Sequence, residues 1–214
     1  TESKEVHEKT PENPYGIKQA LFGIIQGGMH KELREQCTEF VNNLDFDGIA
    51  SGGESIGFNM PKTCEIIDWV RPHLPEHKTR YTMGVGMSPQ DLIDVSAKGI
   101  DIYDCVAPTR NARHGALYCG EFVFENDWVR FKDNTDEKSS RILIKKSKYA
   151  LDQGPIMQGC KCYTCQNYSR SYLHYLYKTK APAYYPLACE HNISVMQQTC
   201  LHMQDIILQH ASKA

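Results

Sequence analysis

Residues 99 to 113 read Gly99-Ile100-Asp101-Ile102-Tyr103-Asp104-Cys105-Val106-Ala107-Pro108-Thr109-Arg110-Asn111-Ala112-Arg113. An apolar run brings a carboxylate, Asp104, to its end, and Arg110 and Arg113 follow a proline. This order predicts a nucleophile or general acid at the tip of a β-strand, followed by a basic clamp for phosphates or base edges. Asp101 is the alternative carboxylate. Residues three apart on a strand face opposite sides, and Asp104 lies nearer the strand end, so we favour Asp104.

Three earlier apolar runs have the same organisation: a short strand, a glycine-containing turn and a helical pattern. They cover residues 20–25, 48–51 and 80–83, and residues 100–106 form the fourth. Four such units predict an α/β fold with a parallel sheet, either half of a (β/α)8 barrel or an open doubly wound sheet. Both architectures place the functional residues at the carboxyl ends of the strands.

The residues at those strand ends suit a flat heterocycle. Gln26 offers a side-chain amide, and Gly53 allows close approach of its backbone. Met83 is suited to lie on the face of a base, although an apolar side chain at a strand tip is also a normal core residue. The alternative to a basic clamp at Arg110 and Arg113 is a pair of solvated surface residues without a binding role. The pattern therefore predicts a base-binding edge without excluding these structural roles.

A cysteine cluster predicts a metal site. Cys160, Cys162 and Cys165 supply three thiolates within six residues, and one histidine would complete a structural Cys3His zinc site. His191, near the start of the last helical pattern, is favoured, and His174 is its competitor. The other six of the nine cysteines are scattered, as is usual for small buried residues.

Composition limits the class of protein. The 214 residues suit one domain, or one domain with a small module, and 41% hydrophobic residues are enough for a core. The formal net charge of −2 excludes a uniformly basic nucleic-acid coat. No apolar run is long enough to span a membrane, and the polar start is unlike a signal peptide, so we expect a cytoplasmic location without membrane contact.

Four motifs together resemble the queuine/preQ1 tRNA-guanine transglycosylase family, in its C-terminal portion. The resemblance spans Leu21 to about Ile206. It rests on the motifs at residues 22–28, 81–86 and 103–113 and on the set Cys160, Cys162, Cys165 and His191.

The resemblance implies an enzyme, a glycosyltransferase that exchanges the wobble-position guanine of tRNA for a 7-deazaguanine base, preQ1 or queuine. It implies that Asp104 is the nucleophile that forms a covalent tRNA intermediate, as the carboxylate does in retaining glycosidases. Gln26 and Gly53 match positions that hydrogen-bond the base, and Met83 matches one that stacks beneath it. The residues that match tRNA contacts are Arg110 and Arg113, and the implied zinc ligands are Cys160, Cys162, Cys165 and His191.

The resemblance also implies a domain organisation: the C-terminal half of a (β/α)8 TIM barrel with an inserted Cys3His zinc-binding subdomain. We expect a polar lead-in over residues 1–15, a candidate for disorder, and the C-terminal βα units of the barrel over 16–130. The zinc subdomain then occupies 131–191, and a helix over 192–214 packs back on the barrel. Family members commonly dimerise through the zinc region, so a homodimer is a further expectation.

The sequence departs from the family pattern at two places that affect the expected activity and the choice of incoming base. The family's general acid/base aspartate lies in N-terminal barrel strands whose motifs this sequence lacks, so we expect a fragment without turnover when isolated. Glu54 and Phe58 replace a leucine and a glutamate of the loop that helps to select the incoming base, which leaves preQ1 and queuine both open. The alternative function is a non-catalytic tRNA-binding partner subunit, against which the presence of Asp104 argues.

Overall fold

A computed structural model of the chain describes residues 2–53, 57, 59–137 and 140–212. The chain divides into two compact units. The first unit runs to Val85 and resumes over Asp94–Asp104. The second unit contains Gly86–Ile93 and the chain from Cys105 onward. Glu54 and Phe58 lie outside the described residues. Within the described part, no helix combines the length and hydropathy needed to cross a membrane.

The first unit is built on a parallel sheet of four strands in the order β1-β2-β3-β4. Its elements are α1 (Glu2–Lys9), β1 (Phe22–Ile25), α2 (Lys31–Asn42), β2 (Gly48–Ser51), α3 (Met60–Val70), a 3-10 turn (Arg71–His73), β3 (Thr79–Thr82) and β4 (Ile102–Tyr103). Helix α4 (Pro89–Ala97) precedes β4 in the chain. The predicted α/β class and parallel sheet are confirmed.

The two faces of this sheet differ in burial. On one face Ile25 and Ile49 pack with Val41 of α2 and Val70 of α3 in a hydrophobic core. The other face carries Ile24 and Ile102 on the two edge strands, and their side chains are 45% and 47% exposed. Both faces are therefore covered at β2, which is buried throughout, whereas the edge strands leave one face exposed.

Strand β4 is shorter than the predicted run of residues 100–106. It pairs with β3 only at Ile102 and Tyr103. The chain then leaves the sheet and α5 begins at Ala107, with Pro108 in its first turn. A proline there fixes a helical φ and removes a donor that has no helical partner in any case, which ends the strand early.

The second unit contains antiparallel strands and helices. Its elements are α5 (Ala107–Arg113), β5 (Ala116–Tyr118), β6 (Glu121–Glu125), β7 (Trp128–Lys132), β8 (Arg141–Leu143), a 3-10 turn (Ser147–Tyr149), α6 (Tyr163–Asn167), α7 (Arg170–Lys178) and α8 (Tyr184–Ala211). Strand β5 pairs with β8, and β6 with β7. Helix α8 begins at Tyr184 rather than Asn192, because Pro186 falls in its first turn, where proline is tolerated.

Candidate active site and metal centre

The strand register brings the predicted residues of the first unit into one row. Ile25, Ser51, Thr82 and Tyr103 are aligned partners across β1, β2, β3 and β4. The next residue of each strand is Gln26, Gly52, Met83 and Asp104. Backbone hydrogen bonds continue past the strands, from Gly52 N to Ile25 O at 3.2 Å and from Met83 N to Ser51 O at 3.3 Å. The four residues therefore form one edge of the sheet.

Gln26 and Met83 border a narrow gap over Gly52, which a side chain at that position would crowd. A Cβ atom added to Gly52 would lie 3.1 Å from Nε2 of Gln26 and 3.6 Å from Sδ of Met83. Gly53 is exposed and has a φ of +128°, in the region that disfavours other residues. An amide side chain, an accessible backbone and a thioether thus converge at this edge of the sheet.

Asp104 is held by one of its two carboxylate oxygens. The hydroxyl of Tyr81 donates to Oδ1 at 2.5 Å, and the backbone N–H of Gly84 donates to the same atom at 3.4 Å. The bond to Asp104 raises the pKa of Tyr81, so the phenol stays protonated and remains a donor. Asp104 is exposed, and within the described part of the chain its Oδ2 has no hydrogen-bond partner. This arrangement fixes the carboxylate and leaves one oxygen available for attack.

Asp101, the alternative carboxylate, has a different environment. Its Oδ2 accepts a hydrogen bond of 2.8 Å from the backbone N–H of Arg80, and its own N–H donates to Arg80 O at 2.9 Å. Both contacts extend the pairing of β3 and β4 at the beginning of the strands. Asp101 therefore lies at the opposite end of the sheet from Gln26 and Met83, in a structural position.

Arg110 and Arg113 lie in the last turn of α5, in the second unit. Both are exposed, and neither side chain forms a salt bridge or hydrogen bond within the described residues. Helix α5 is fixed by α8, because Nδ2 of the buried Asn192 donates to Pro108 O at 2.9 Å and the hydroxyl of Tyr184 donates to Ala112 O at 3.0 Å. The two guanidinium groups thus project from an anchored helix and are free to bind an anion.

The four predicted zinc ligands come together in the second unit. Their ligand atoms all lie within 4.8 Å of one another. Nδ1 of His191 is 3.9, 3.4 and 3.4 Å from the sulfurs of Cys160, Cys162 and Cys165. Tetrahedral zinc, with its usual bond lengths, separates a sulfur ligand from a nitrogen ligand by about 3.6 Å. The donor set and its spacing fit a single structural zinc ion.

The charges of this cluster favour a cation. Hydrogen bonds from Cys162 and Cys165 lower the pKa of the Cys160 thiol. Burial opposes protonation of His191, but its contacts with Cys160 and Cys165 raise its pKa to about 9. The Cys160 shift comes from neighbouring thiols that donate to its sulfur, and the same contacts raise the pKa of the Cys162 thiol, which keeps its proton. The His191 shift comes from the negative charge on the thiolates beside its ring. Because all four positions of the tetrahedron are filled by side chains, the site has no open coordination position for catalysis.

Helix α8 orients the histidine ligand. Nε2 of His191 donates to Tyr118 O at 2.8 Å, which leaves Nδ1 to face the thiolates. The preceding residue, Glu190, accepts hydrogen bonds of 3.1 Å from the backbone N–H groups of Tyr163 and Thr164 at the start of α6. The competing ligand His174 is occupied elsewhere, because its Nδ1 bonds Ile144 O at 2.7 Å. His191 therefore completes the cluster.

Three further residues of the two sites are not predicted by the sequence motifs described above. Tyr81 bonds Asp104, Asn192 anchors α5, and Arg34 lies buried beneath the ends of β1 and β2. Tyr81 has a signal in retrospect, since it lies two residues before Met83 on the same face of β3. Asn192 directly follows His191 in the sequence, whereas no pattern distinguishes Arg34 from an exposed helical arginine.

Comparison with known proteins gives a match over most of the chain. A model of the queuine tRNA-ribosyltransferase family matches residues 1–213. The chain is 42% identical over 190 residues to the queuine tRNA-ribosyltransferase of Neisseria meningitidis, covering 89% of this chain and 46% of the relative. It is 40% identical over 190 residues to that of Caldanaerobacter subterraneus, covering 89% and 44%.

A third relative has a similar identity and coverage. The queuine tRNA-ribosyltransferase of Dechloromonas aromatica is 40% identical over 188 residues, covering 88% of this chain and 46% of the relative. The chain thus spans about half the length of the curated relatives it matches. The family match over nearly every residue, together with the Cys3His cluster, establishes that this chain belongs to the queuine tRNA-ribosyltransferase family.

Proposed function

We propose that this chain carries the nucleophile, base-binding edge and zinc-binding part of a tRNA-guanine transglycosylase. The reaction replaces the wobble-position guanine of tRNA by a 7-deazaguanine base, preQ1 or queuine. One observation carries the proposal. Asp104 is tethered through Oδ1 to Tyr81 and Gly84, in the same row as Gln26 and Met83, with Oδ2 unpartnered within the described residues.

In the first step Oδ2 of Asp104 attacks C1′ of the wobble ribose. The C1′–N9 bond breaks, its electron pair leaves with guanine, and a bond between C1′ and the carboxylate forms. The departing base takes up a proton from a general acid, which the family resemblance assigns to an aspartate of N-terminal barrel strands. In the second step the same acid, now deprotonated, takes the proton from a nitrogen of the incoming base, and that nitrogen attacks C1′ and displaces the Asp104 carboxylate.

The base-binding edge would hold both the departing and the incoming base. The side-chain amide of Gln26 and the backbone of Gly53 can hydrogen-bond the edge of a purine-like ring, while the Met83 thioether lies against its face. The gap at Gly52 supports this arrangement, because a side chain there would come within 3.1 Å of Gln26. The flanking nucleotides of tRNA would be gripped by Arg110 and Arg113 through bidentate contacts to phosphates or base edges.

The exposed face of the parallel sheet supports the proposal that its strands belong to a barrel. Ile24 and Ile102, which share this face with the base-binding edge, leave apolar surface that a parallel sheet normally buries. We propose that the βα units over residues 16–130 form the C-terminal half of a (β/α)8 TIM barrel. The zinc subdomain then spans 131–191, the C-terminal helix follows over 192–214, and two copies associate through the zinc region.

The experiment that tests this function traps the covalent intermediate. The chain is assayed alone and as a fusion to the N-terminal half of the Neisseria meningitidis relative. Each is incubated with tRNA bearing wobble guanine and with 9-deazaguanine, and a denaturation-resistant protein–RNA band is sought. We expect a band for the fusion and none for the chain alone, because the general acid is supplied by the N-terminal half.

The controls separate catalysis from binding. The same tRNA with adenine at the wobble position should give no band, because the edge is built for guanine-like rings. If the fusion binds tRNA but gives no band with wobble guanine, the catalytic assignment is wrong. The alternative function, a non-catalytic tRNA-binding partner subunit, would then be favoured.

We predict that Tyr81→Phe slows adduct formation by roughly tenfold to a hundredfold, since a hydrogen bond to a charged carboxylate contributes about 1.5–3 kcal/mol. The ring itself stays, so its edge-to-face contact with Phe22, at a centroid distance of 6.4 Å, is preserved. Single-turnover kinetics of the trapped band measures the effect. Tyr175→Phe, at an exposed position of α7, is the matched control. Equal rates for the two variants would contradict the tether.

A further inference from the structure

Arg34 of α2 is a buried charged side chain directly beneath the base-binding edge. Its side chain is fully buried, and it is the largest residue of the described chain with that property. Within the described residues no carboxylate forms a salt bridge with it. Burial lowers the pKa of this guanidinium from its ordinary value. An apolar side chain would fill the same space without this desolvation penalty. Stability alone therefore does not explain an arginine at this position.

Its contacts indicate that reason. Nε donates to Gly28 O at 2.9 Å, and Nη1 donates to Ile25 O at 3.3 Å and to Gly52 O at 2.7 Å. These carbonyls belong to the end of β1, to the turn after it and to the residue after β2. One planar group therefore fixes the backbone on both sides of Gln26 and immediately before Gly53.

The remaining nitrogen of Arg34 lies against Gly53. A Cβ atom at Gly53 would be 2.7 Å from Nη2, so only glycine accommodates the guanidinium at this distance. Nη2 is buried and has no hydrogen-bond partner among the described residues. One helical turn farther along α2, the Cys37 sulfur accepts a hydrogen bond of 3.3 Å from the backbone N–H of Gln26. Helix α2 thus holds both of the base-contacting segments from below.

We propose that Arg34 is a positioning residue that sets the spacing between the Gln26 side chain and the Gly53 backbone, and so determines affinity for the guanine-type base. This inference rests on the proposed function, because it assumes that the base binds at this edge. Arg34 touches neither substrate nor Asp104 in this scheme. It acts on binding of the base rather than on the chemical step at C1′.

The test is Arg34→Lys in the catalytically competent fusion, which keeps a positive charge but loses the planar fork that bonds three carbonyls. We expect the KM for free guanine in the exchange reaction to rise about tenfold, equivalent to roughly 1.4 kcal/mol, with little change in kcat. The matched control is Arg80→Lys. Arg80 also bonds backbone carbonyls in this unit, Gly99 O at 3.2 Å and Pro75 O at 3.3 Å, but at the opposite end of β3.

A purely structural role would lower thermal stability in both variants and leave both KM values unchanged, and that result overturns the inference. A second measurement on the unmodified fusion avoids any folding defect. Guanine is titrated while the arginine Nε–H resonances are followed by NMR. The Arg34 signal should shift and the Arg80 signal should not, and an unmoved Arg34 signal also overturns the inference.

Failure of the underlying function gives a different result. If the unmodified fusion neither exchanges nor binds guanine, the base-exchange assignment fails and the role of Arg34 fails with it. If exchange is normal and KM is unchanged in Arg34→Lys, only the positioning role is wrong.

Discussion

Asp104→Asn should abolish the covalent protein–tRNA adduct and reduce base exchange by about 10⁴-fold or more, the range expected when a covalent enzyme loses its nucleophile. An amide oxygen cannot form the ester-like bond to C1′, because the neutral group is a poor nucleophile. The fold should survive, since the amide oxygen can still accept the hydrogen bonds of Tyr81 and Gly84 that the carboxylate accepts at 2.5 and 3.4 Å. Tight binding of tRNA should survive as well.

The matched control is Asp101→Asn on the same stretch of chain. Its side chain accepts the Arg80 N–H at 2.8 Å, a contact that an amide oxygen can also accept, so adduct formation should remain close to that of the unmodified protein. Denaturing gels of the trapped complex and a tRNA-binding assay measure both properties. An adduct of normal yield in Asp104→Asn, or its loss in Asp101→Asn alone, would move the nucleophile to another residue.

The predictable part of the candidate active site follows from strand geometry. Parallel strands of equal register end at one edge, so residues that follow consecutive apolar runs must meet there. The sequence therefore predicts that Gln26, Met83 and Asp104 lie together, and the register of β1 to β4 brings them into one row. The zinc cluster was predictable for a related reason. Three cysteines in six residues cannot lie far apart, and only the distant histidine had to be chosen.

The part that sequence could not supply depends on contacts between elements. Arg34 has the spacing of an ordinary helical residue, and only packing of α2 beneath the strand ends reveals its carbonyl contacts. Tyr81 reaches Asp104 across two neighbouring strands, a diagonal contact that no local pattern encodes. The bounds of β4 and α8 differ from the predicted ones because Pro108 and Pro186 lie in the first turns of helices, where proline is tolerated.

The zinc cluster should be required for folding of the second unit. Cys165→Ser should lose the metal and lower the free energy of unfolding of that unit by more than about 5 kcal/mol, because binding of a structural zinc ion is coupled to folding and contributes about 10–16 kcal/mol in small zinc domains. Residues of α8 connect the zinc site to the rest of the second unit, so loss of the metal should destabilise the elements that they contact. Glu190 caps α6, His191 is the ligand, and Asn192 bonds Pro108 O and Ala116 O at 2.9 and 3.1 Å.

Cys189→Ser is the matched control. This partly buried cysteine lies in α8, two residues before His191, with its sulfur 3.8 Å from Thr109 O and outside the cluster. Metal content is measured by atomic emission, and thermal unfolding is followed with and without a chelator. The control should retain its zinc and its melting temperature. In Cys165→Ser, loosening of α8 should also release α5, so tRNA binding through Arg110 and Arg113 should weaken together with zinc content. Retention of zinc by Cys165→Ser, or unaltered unfolding after its loss, would show that packing alone holds the second unit and that the four ligands are dispensable for its fold.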